Sequence, residues 1–278
     1  MAARDDFITV NGIRLHYCEH GQRTLPPLIC LHGFMGTAHN WDTFASRVSD
    51  RFRVLAPTAR GHGDSARPED YDDMFAPVHD VAALMDALKL PSAIVMGHSM
   101  GATVAAGLAV FHPSKVSKLV IGDAGLDSDP EGAERLYRLM CEWQDEFGTA
   151  EEVAGFIRDH LEDLPEDEVR RLAPYWVSYD PDGKYRSKLD PALVRARVDQ
   201  GLNVPPPGEN PLWQFVPQVK CPTLIVRGVR TIFLPRACAD RMVAEMPDAR
   251  LVEMDSGHML WMENLEGFYE AVRAFIGL

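Results

Sequence analysis

The segment MGHSMGA, residues 96–102, constrains the fold more than any other stretch of the chain. It matches the pattern Gly-x-Ser-x-Gly, follows the apolar run AIVMG and precedes the helix-forming run GATVAAGLAVF. Gly97 and Gly101 let the backbone make a tight, strained turn from a strand into a helix, which lifts the side chain of Ser99 above the sheet. The pattern therefore predicts an α/β fold in which Ser99 is an exposed nucleophile.

Short apolar runs alternate with helical stretches through most of the chain, which is typical of a parallel sheet with helices on both faces. The runs LICL, RVLA, AIVMG, KLVIG, TLIVRG and RLVEM predict buried strands, and Asn11-Gly12 predicts the turn of an opening hairpin. Residues 127–212 lack such runs and show amphipathic helical stretches instead. We therefore predict a core of residues 1–126 and 213–278, with a helical cap of residues 127–212 inserted into it.

Charge and cysteine content limit the partners and the compartment of the protein. The 41 Asp and Glu residues against 28 Lys and Arg give a formal net charge of −13, which repels nucleic acid and anionic lipid surfaces. Five cysteines without a CxxC pair suit a reducing compartment. No export signal and no apolar run of about 18 residues are visible. We expect a cytoplasmic enzyme with a small-molecule substrate and no nucleic acid or membrane partner. The sequence leaves open whether the protein forms a homodimer.

The segment LICLHGFMGT, residues 28–37, predicts a site for a negatively charged oxygen beside Ser99. Its apolar first half predicts a strand that ends immediately before His32 and Gly33. A sharp turn at Gly33 can aim the Phe34 N–H at a developing oxyanion, and the Met100 N–H supplies a second donor. Phe34 and Met100 are therefore the predicted oxyanion-hole residues.

A general base is predicted in the segment DSGHMLWMENLEGF, between the last predicted strand and the last predicted helix. His258 in this loop can remove the proton of Ser99 and return it to the leaving group. Three other histidines belong to glycine-rich motifs and are predicted to be structural. They are His32, His62 and His98.

Five segments occur in the order and spacing typical of the α/β-hydrolase superfamily: HGFMGT, ARGHGDSARP, GHSMGA, LIVRG and SGHMLWMENLEGF. The resemblance covers the chain except the cap. It implies the α/β-hydrolase fold, an eight-stranded and mostly parallel sheet, with a catalytic triad in the chain order nucleophile, acid, histidine. Ser99 argues against the haloalkane dehalogenase and epoxide hydrolase branches, which use an Asp nucleophile. Thr58, where many relatives have Asp, has no functional explanation from the sequence.

The position of the triad acid departs from the usual pattern of the superfamily. Relatives usually place the acid just after the strand matched by TLIVRG, often in a Ser-Asp pair that would fall at Thr231 and Ile232. Ile232 cannot accept a hydrogen bond from an imidazole. Some members carry the acid at the position matched by Asp123, in KLVIGDAGLD, which follows the strand after the nucleophile helix. We therefore predict Asp123 as the acid, with Asp127, a weak Ser–His dyad or an inactive homologue as alternatives.

The cap supplies aromatic side chains that suit an apolar or ring-bearing acyl group. Arg135 and Arg138 offer a clamp for a substrate carboxylate, as in the acetamidomethylene-succinate hydrolases, which this chain distantly resembles. Packing within the cap and solvated helix faces explain the same residues equally well. The predicted substrate-binding residues are Tyr137, Arg138, Trp143 and Trp176.

The sequence as a whole predicts a serine hydrolase without a cofactor or metal ion, which cleaves a small carboxylic ester, lactone or amide through an acyl-enzyme on Ser99. The segment HGFMGTAHNW also resembles the pyruvate-eliminating lyase of menaquinone synthesis, although the arginine that commonly follows the nucleophile there is absent. A carbon–carbon bond hydrolase and a ligand-binding receptor with a retained triad also fit the sequence. Stoichiometric binding with very slow hydrolysis would identify a receptor.

Overall fold

A computed structural model describes residues 3–127, 129–161, 164–199, 201 and 205–278. The strands, in chain order, are β1 (Arg4–Val10), β2 (Ile13–His20), β3 (Pro27–Leu31), β4 (Arg53–Pro57), β5 (Ala93–His98), β6 (Val116–Gly122), β7 (Glu146–Phe147), β8 (Val177–Tyr179), β9 (Tyr185–Ser187), β10 (Thr223–Gly228) and β11 (Ala249–Met254). The helices are α1 (Asp42–Val48), α2 (Ala76–Ala87), α3 (Met100–Phe111), α4 (Pro130–Cys141), α5 (Ala150–His160), α6 (Glu166–Trp176), α7 (Pro191–Asp199), α8 (Arg236–Glu245) and α9 (Leu265–Ile276). Short 3-10 helices lie at Ala38–Trp41, Pro113–Lys115, Pro211–Gln218 and Leu260–Met262.

One eight-stranded sheet has the order β1-β2-β4-β3-β5-β6-β10-β11. Strand β2 is antiparallel to both of its neighbours, and the remaining neighbours are parallel. Asn11 and Gly12, both at positive φ, form the turn between β1 and β2. The predicted α/β class, the mostly parallel eight-stranded sheet and the opening hairpin are therefore confirmed.

The sheet is covered on both faces because the side chains of its central strands alternate between two apolar clusters. On β5, Met96 packs in the cluster that contains Phe44 of α1 and Phe268 of α9. Its neighbour Val95 packs in the other cluster, which contains residues of α2, α3 and α8. A strand that is buried on both faces has apolar residues at every position, which explains the continuous apolar runs in the sequence. None of the helices within the described ranges has the length and apolar character that crossing a bilayer requires.

Helices α4 to α7 and a separate three-stranded antiparallel sheet, of order β7-β9-β8, occupy the part of the chain for which the sequence predicts a helical cap. The sequence predicts the helices but not this small sheet. Its strands are two or three residues long, which is too short for a recognisable alternation of apolar and polar residues. The division into a core and a cap of residues 127–212 stays a prediction.

Candidate active site

Ser99 occupies a strained turn between the end of β5 and the beginning of α3. Its backbone has φ 52° and ψ −120°, a conformation that costs a non-glycine residue energy and persists only where its surroundings enforce it. Gly97 and Gly101, one on each side of Ser99, hold the backbone in this conformation through close contacts. A Cβ added to Gly97 would lie 2.2 Å from the carbonyl oxygen of Gly101, and one added to Gly101 would lie 2.4 Å from that of Leu31. The turn therefore requires both glycines, as the sequence pattern predicts, and Ser99 lines a cavity above the sheet.

Asp123 and His258 come together beside this turn from the ends of two other strands. Asp123 follows β6 directly and is 1% exposed, and His258 lies in the loop after β11. The His258 Nδ1 donates to Asp123 Oδ2 over 2.7 Å. The same carboxylate accepts from the Thr231 hydroxyl at 2.5 Å and from the Gly228 N–H at 3.1 Å. The structure thus places a buried, fully hydrogen-bonded carboxylate on the histidine predicted as the base.

The residues at the usual position of the acid have divided roles. In relatives with the usual pattern the acid would stand at the position of Ile232. Here the side chain of the preceding residue, Thr231, is directed toward Asp123. Ile232 lies in the cavity wall. The Thr231 Oγ1 also accepts from the Phe233 N–H at 3.0 Å, which leaves its proton for the carboxylate. Thr231, next to the usual position of the acid, therefore orients the carboxylate of Asp123.

Asp127, the alternative acid, has a different environment. Its Oδ1 accepts from the Gly208 N–H at 2.9 Å and from the Trp213 Nε1 at 3.0 Å. These bonds connect the start of the segment predicted as the cap with its end. Among the described residues no hydrogen bond joins Asp127 to His258, so the structure favours Asp123 as the partner of the histidine.

The predicted oxyanion-hole residues lie on either side of Ser99. A Cβ added to Gly33 would be 3.2 Å from the Ser99 Cβ, so only a glycine lets this backbone approach the nucleophile so closely. Phe34, the next residue, lines the same cavity. Met100 is the first residue of α3, where a backbone N–H has no acceptor within the helix. The two N–H groups stay predicted donors.

His32 orients the peptide that contains the Phe34 N–H. Its Nε2 accepts from the Ala59 N–H at 2.9 Å, so its Nδ1 carries the proton and donates to the Gly33 carbonyl oxygen at 2.7 Å. In a trans peptide the C=O of one residue and the N–H of the next point in opposite directions. Fixing the Gly33 oxygen therefore also fixes the Phe34 N–H. Burial lowers the pKa of His32 to about 3, which keeps the imidazole neutral.

His98 holds the loop that carries the predicted base. Its Nε2 donates to the backbone oxygen of His258 at 2.8 Å, and the two rings lie 4.6 Å apart. Burial, followed by the nearby charge of His258, lowers the pKa of His98 well below its ordinary value. A neutral His98 positions His258 without adding a positive charge that would repel an imidazolium there. This agrees with the structural role predicted for the histidine.

The cavity above Ser99 has a volume of about 120 Å³. An apolar cavity of about 150 Å³ accepts one benzene ring, so this space suits a small acyl group. Helix α4 contributes one side of its surface to the wall, and α5 and α6 contribute their ends. The cap side chains that line the cavity are Arg135, Leu136, Leu139, His160, Leu161 and Trp176.

Of the four predicted substrate-binding residues, Trp176 lines the cavity and the other three do not. Tyr137 and Arg138 are not among the lining residues, whereas residues 135, 136 and 139 of α4 are. Arg138 is exposed. Trp143 packs edge-on against Phe156, with ring centroids 5.4 Å apart, in the apolar interior of the cap region.

Two arginines give the cavity wall a positive character. Arg135 donates to the backbone oxygen of His160 at 3.3 Å, and Arg230 forms ion pairs with Asp255 and Glu263. Among the described residues that line the cavity, none is an Asp or Glu. A substrate with a carboxylate would therefore meet two guanidinium groups, of which that of Arg230 already pairs with two carboxylates, and no anionic lining residue. The sequence indicates Arg135 as a clamp, but nothing in its local pattern marks Arg230.

The chain matches one sequence family over most of its length. The family described as alpha/beta hydrolase fold matches residues 26–265. This range contains Ser99, Asp123 and His258 together with the inserted helices. The match therefore covers every strand from β3 to β11.

Individual relatives extend the likeness to the whole chain. An epoxide hydrolase of Caballeronia sordidicola is 32% identical over 217 residues, which are 74% of this chain and 60% of that protein, less than two thirds of its length. The N-formylmaleamate deformylase of Pseudomonas putida is 29% identical over 277 residues, 97% of this chain and 95% of that protein. The solved structure of E-2-(acetamidomethylene)succinate hydrolase has a TM-score of 0.89 at 24% identity, with 100% of both chains covered.

Proposed function

Because the chain belongs to the alpha/beta hydrolase family, we propose that it is a serine hydrolase that cleaves a small carboxylic ester, lactone or amide through an acyl-enzyme on Ser99. The observation that carries this proposal is the 2.7 Å hydrogen bond from His258 to the buried Asp123, beside a serine held in a strained turn. Ser99 and His258 line the same cavity. The arrangement supports nucleophilic catalysis by a serine with a histidine base.

The first half of the proposed reaction transfers the acyl group to the enzyme. The Nε2 of His258 accepts the hydroxyl proton as Ser99 Oγ forms a bond to the carbonyl carbon of the substrate. Asp123 stabilises the imidazolium that results, and the N–H groups of Phe34 and Met100 donate to the oxyanion. The tetrahedral intermediate then breaks its bond to the leaving alcohol or amine, which takes the proton from His258.

The second half regenerates the free enzyme. A water molecule gives a proton to His258 and adds its oxygen to the carbonyl carbon of the acyl-enzyme. The resulting intermediate expels Ser99 Oγ, which recovers the proton from the imidazolium. The product is a carboxylic acid, and no cofactor or metal ion enters either half.

We further propose that the substrate carries a carboxylate of its own. Arg135 and Arg230 in the cavity wall support this, since a guanidinium binds a carboxylate through two parallel hydrogen bonds. The names of two similar proteins, a deformylase of N-formylmaleamate and a hydrolase of 2-(acetamidomethylene)succinate, also support an amide of a small acid. The cavity volume of about 120 Å³ favours a substrate of that size.

The experiment that tests the nucleophile combines turnover with covalent trapping. Wild-type protein, Ser99→Ala and the control Ser92→Ala, which lies just before the opposite end of β5, are assayed on a panel of p-nitrophenyl esters and N-formyl amides. We expect Ser99→Ala to lower kcat/KM by about 10⁴-fold or more. A fluorophosphonate should label the wild type and Ser92→Ala once each, on Ser99. Turnover that survives in Ser99→Ala would exclude the acyl-enzyme, and tight stoichiometric binding without turnover would indicate a receptor.

The substrate proposal is tested with a matched pair of variants on one helix. Arg135→Met should raise KM by about 10-fold for substrates that carry a carboxylate, because one charge-assisted contact is lost. The KM for neutral esters should stay within about twofold of the wild-type value. Arg138→Met is the control, because its side chain is exposed and lies outside the cavity lining. Equal KM changes in the two variants would contradict a carboxylate clamp.

A further inference from the structure

A second cluster of histidines lies on the opening hairpin. Side chains two residues apart on a strand share a face, so His16 and Cys18 of β2 point the same way. The antiparallel register pairs Cys18 with Asp5 of β1, which brings that carboxylate to the same face. His39, from the 3-10 helix at Ala38–Trp41, packs against this face and completes the cluster.

The four side chains present their donor atoms to one another at short distances. Asp5 Oδ1 lies 3.1 Å from Cys18 Sγ, 3.2 Å from His16 Nε2 and 3.4 Å from His39 Nε2. Cys18 Sγ lies 3.7 Å from either ring nitrogen of His39. One donor atom of each of the four residues lies within 4.8 Å of the others. The cluster is thus a compact set of two nitrogens, one sulfur and one oxygen.

The remaining ring nitrogens of both histidines are fixed from outside the cluster. The Nδ1 of His16 is 3.0 Å from the hydroxyl of Thr58, and the Nδ1 of His39 is 2.9 Å from Asp42 Oδ2. Both oxygens can accept from an Nδ1–H, so each imidazole can adopt the tautomer that directs its Nε2 lone pair into the cluster when a cation binds there. Metal-binding histidines are commonly oriented in this way. This role also explains Thr58, to which the sequence alone assigns no function.

We propose that Asp5, His16, Cys18 and His39 form a structural zinc site. Bonds of about 2.0–2.1 Å from zinc to nitrogen and oxygen and about 2.3 Å to sulfur, in a tetrahedron, require ligand atoms roughly 3.3–3.6 Å apart. Four of the six separations, 3.1–3.7 Å, bracket that range, and the two between His16 and the Cys18 and His39 donors lie within 4.8 Å. Four protein ligands fill the tetrahedron, so the ion has no open position for a substrate, and its role is structural.

The charges of the cluster balance when a zinc ion binds. The S–H bond of Cys18 breaks, its proton leaves to water, and the thiolate forms a bond to the ion. One thiolate and the Asp5 carboxylate neutralise Zn²⁺, while both histidines bind as neutral rings. Cys18 is buried, so a thiolate at this position needs such a cation beside it. The exposed side chain of Asp5 leaves a path from solvent.

The site goes beyond the proposed hydrolase function and does not depend on it. It connects the hairpin of β1 and β2 to the 3-10 helix that leads into α1. The Tyr175 ring of α6 stacks on His39 with centroids 3.6 Å apart, so the ion also supports a contact with the cap region. The sequence predicts no metal ion, because the ligands come from three separate segments without the spacing of a zinc motif.

The test measures metal content and spectra, with no need for turnover. Protein stripped with a chelator is titrated with Zn²⁺, and separately with Co²⁺, which reports a thiolate ligand by a near-ultraviolet charge-transfer band and a tetrahedral site by intense visible bands. The variants are Cys18→Ser and Asp5→Asn. Their controls are Cys141→Ser, an exposed thiol elsewhere, and Asp6→Asn, whose side chain meets Tyr17 instead.

We expect one zinc ion per chain in the wild type and in both controls. Cys18→Ser should lose the charge-transfer band and bind Zn²⁺ at least 100-fold more weakly, and Asp5→Asn should bind it at least 10-fold more weakly. If Cys18→Ser does not fold, Asp5→Asn and the wild-type Co²⁺ spectrum decide. Less than 0.1 equivalent of zinc in the wild type, a Co²⁺ spectrum without a thiolate band, or equal affinities in Asp5→Asn and Asp6→Asn would overturn the site.

Discussion

The Asp123–His258 pair and the cluster of Asp5, His16, Cys18 and His39 use the same kinds of side chain for different chemistry. In the pair, one imidazole nitrogen is bound to a carboxylate, and the ring lines the cavity that holds Ser99. In the cluster, the Nδ1 atoms are bound from outside and the Nε2 atoms face a carboxylate. Under the two proposals, the group that faces the second nitrogen decides whether an imidazole transfers a proton or holds a cation.

The backbones that support the two assemblies also differ. Ser99 and Asp123 both have positive φ, 52° and 46°, in turns that follow neighbouring parallel strands. The cluster is built on an antiparallel hairpin, where the register alone sets Asp5 opposite Cys18. Strained strand ends deliver reactive groups to one edge of the sheet, whereas regular pairing presents ligands on one face without strain.

The largest difference should come from the same substitution made in both assemblies. Asp123→Asn should lower kcat by about 10⁴-fold, because the amide no longer stabilises the imidazolium, and should leave zinc content unchanged. Asp5→Asn should weaken zinc binding and lower kcat less than about 10-fold. Asp127→Asn is the control, since its side chain binds Gly208 and Trp213. A full rate in Asp123→Asn, or a collapse in Asp127→Asn with the fold intact, would assign the acid elsewhere.

Removal of zinc should affect stability far more than turnover. Free zinc at 1,000 times its Kd contributes about 4 kcal/mol, and a chain of 278 residues then loses roughly 7 °C in Tm when the ion is withdrawn. Calorimetry with and without a chelator measures this shift, and added Zn²⁺ should reverse it. A Tm that does not change with the chelator would show that zinc does not stabilise the fold. The cluster would then not be a structural metal site.

Two threonines allow a smaller and symmetrical test, because each hydroxyl orients one assembly. Thr231→Val removes the donor to Asp123 and should lower kcat by about 10-fold, the value of one buried hydrogen bond to a charge. Thr58→Val removes the hydroxyl that contacts His16 Nδ1 and should weaken zinc binding by about 10-fold. Thr231→Val should leave zinc binding unchanged, and Thr58→Val should leave kcat unchanged, as titrations and rate measurements on both variants would show. Equal losses of activity in the two would mean that the assemblies act as one unit.

The smallest effects should follow from the aromatic ring that packs on each histidine. Phe233 lies 4.2 Å from the ring of His258, and Tyr175 lies 3.6 Å from that of His39, measured between ring centroids. Such pairs contribute about 0.5–1.5 kcal/mol beyond their buried area. Phe233→Leu should therefore lower kcat about threefold, and Tyr175→Leu should weaken zinc binding about threefold. An effect of 100-fold in either would show that the ring, rather than the hydrogen bonds, fixes the imidazole.

Local sequence patterns predict the sheet and the positions of the reactive groups. Strands buried on both faces appear as apolar runs, and glycines mark the turn at Ser99. Asp123 and His258 follow such runs, and parallel strands bring their ends to one edge. The pairing of these residues therefore needs little beyond the order of the elements.

The sequence does not predict those features of the site that depend on how helices, strands and loops pack against one another. The sequence predicts that Tyr137 and Arg138 face the substrate, but only the packing of α4 decides which side of the helix meets the cavity. The direction of the Thr231 hydroxyl depends on one loop conformation. The proposed zinc ligands lie on two strands and a 3-10 helix, and their proximity is a property of the register and the packing.

The division of labour between Thr231 and Ile232 has a consequence for how this enzyme can diversify. With the carboxylate supplied after β6, the loop after β10 no longer carries a reactive group. Position 232 is then an apolar wall residue whose size can change by single mutations while Thr231, Asp123 and His258 keep their geometry. We expect replacements at position 232 to change the shape of the cavity while the hydrogen bond between Asp123 and His258 stays in place.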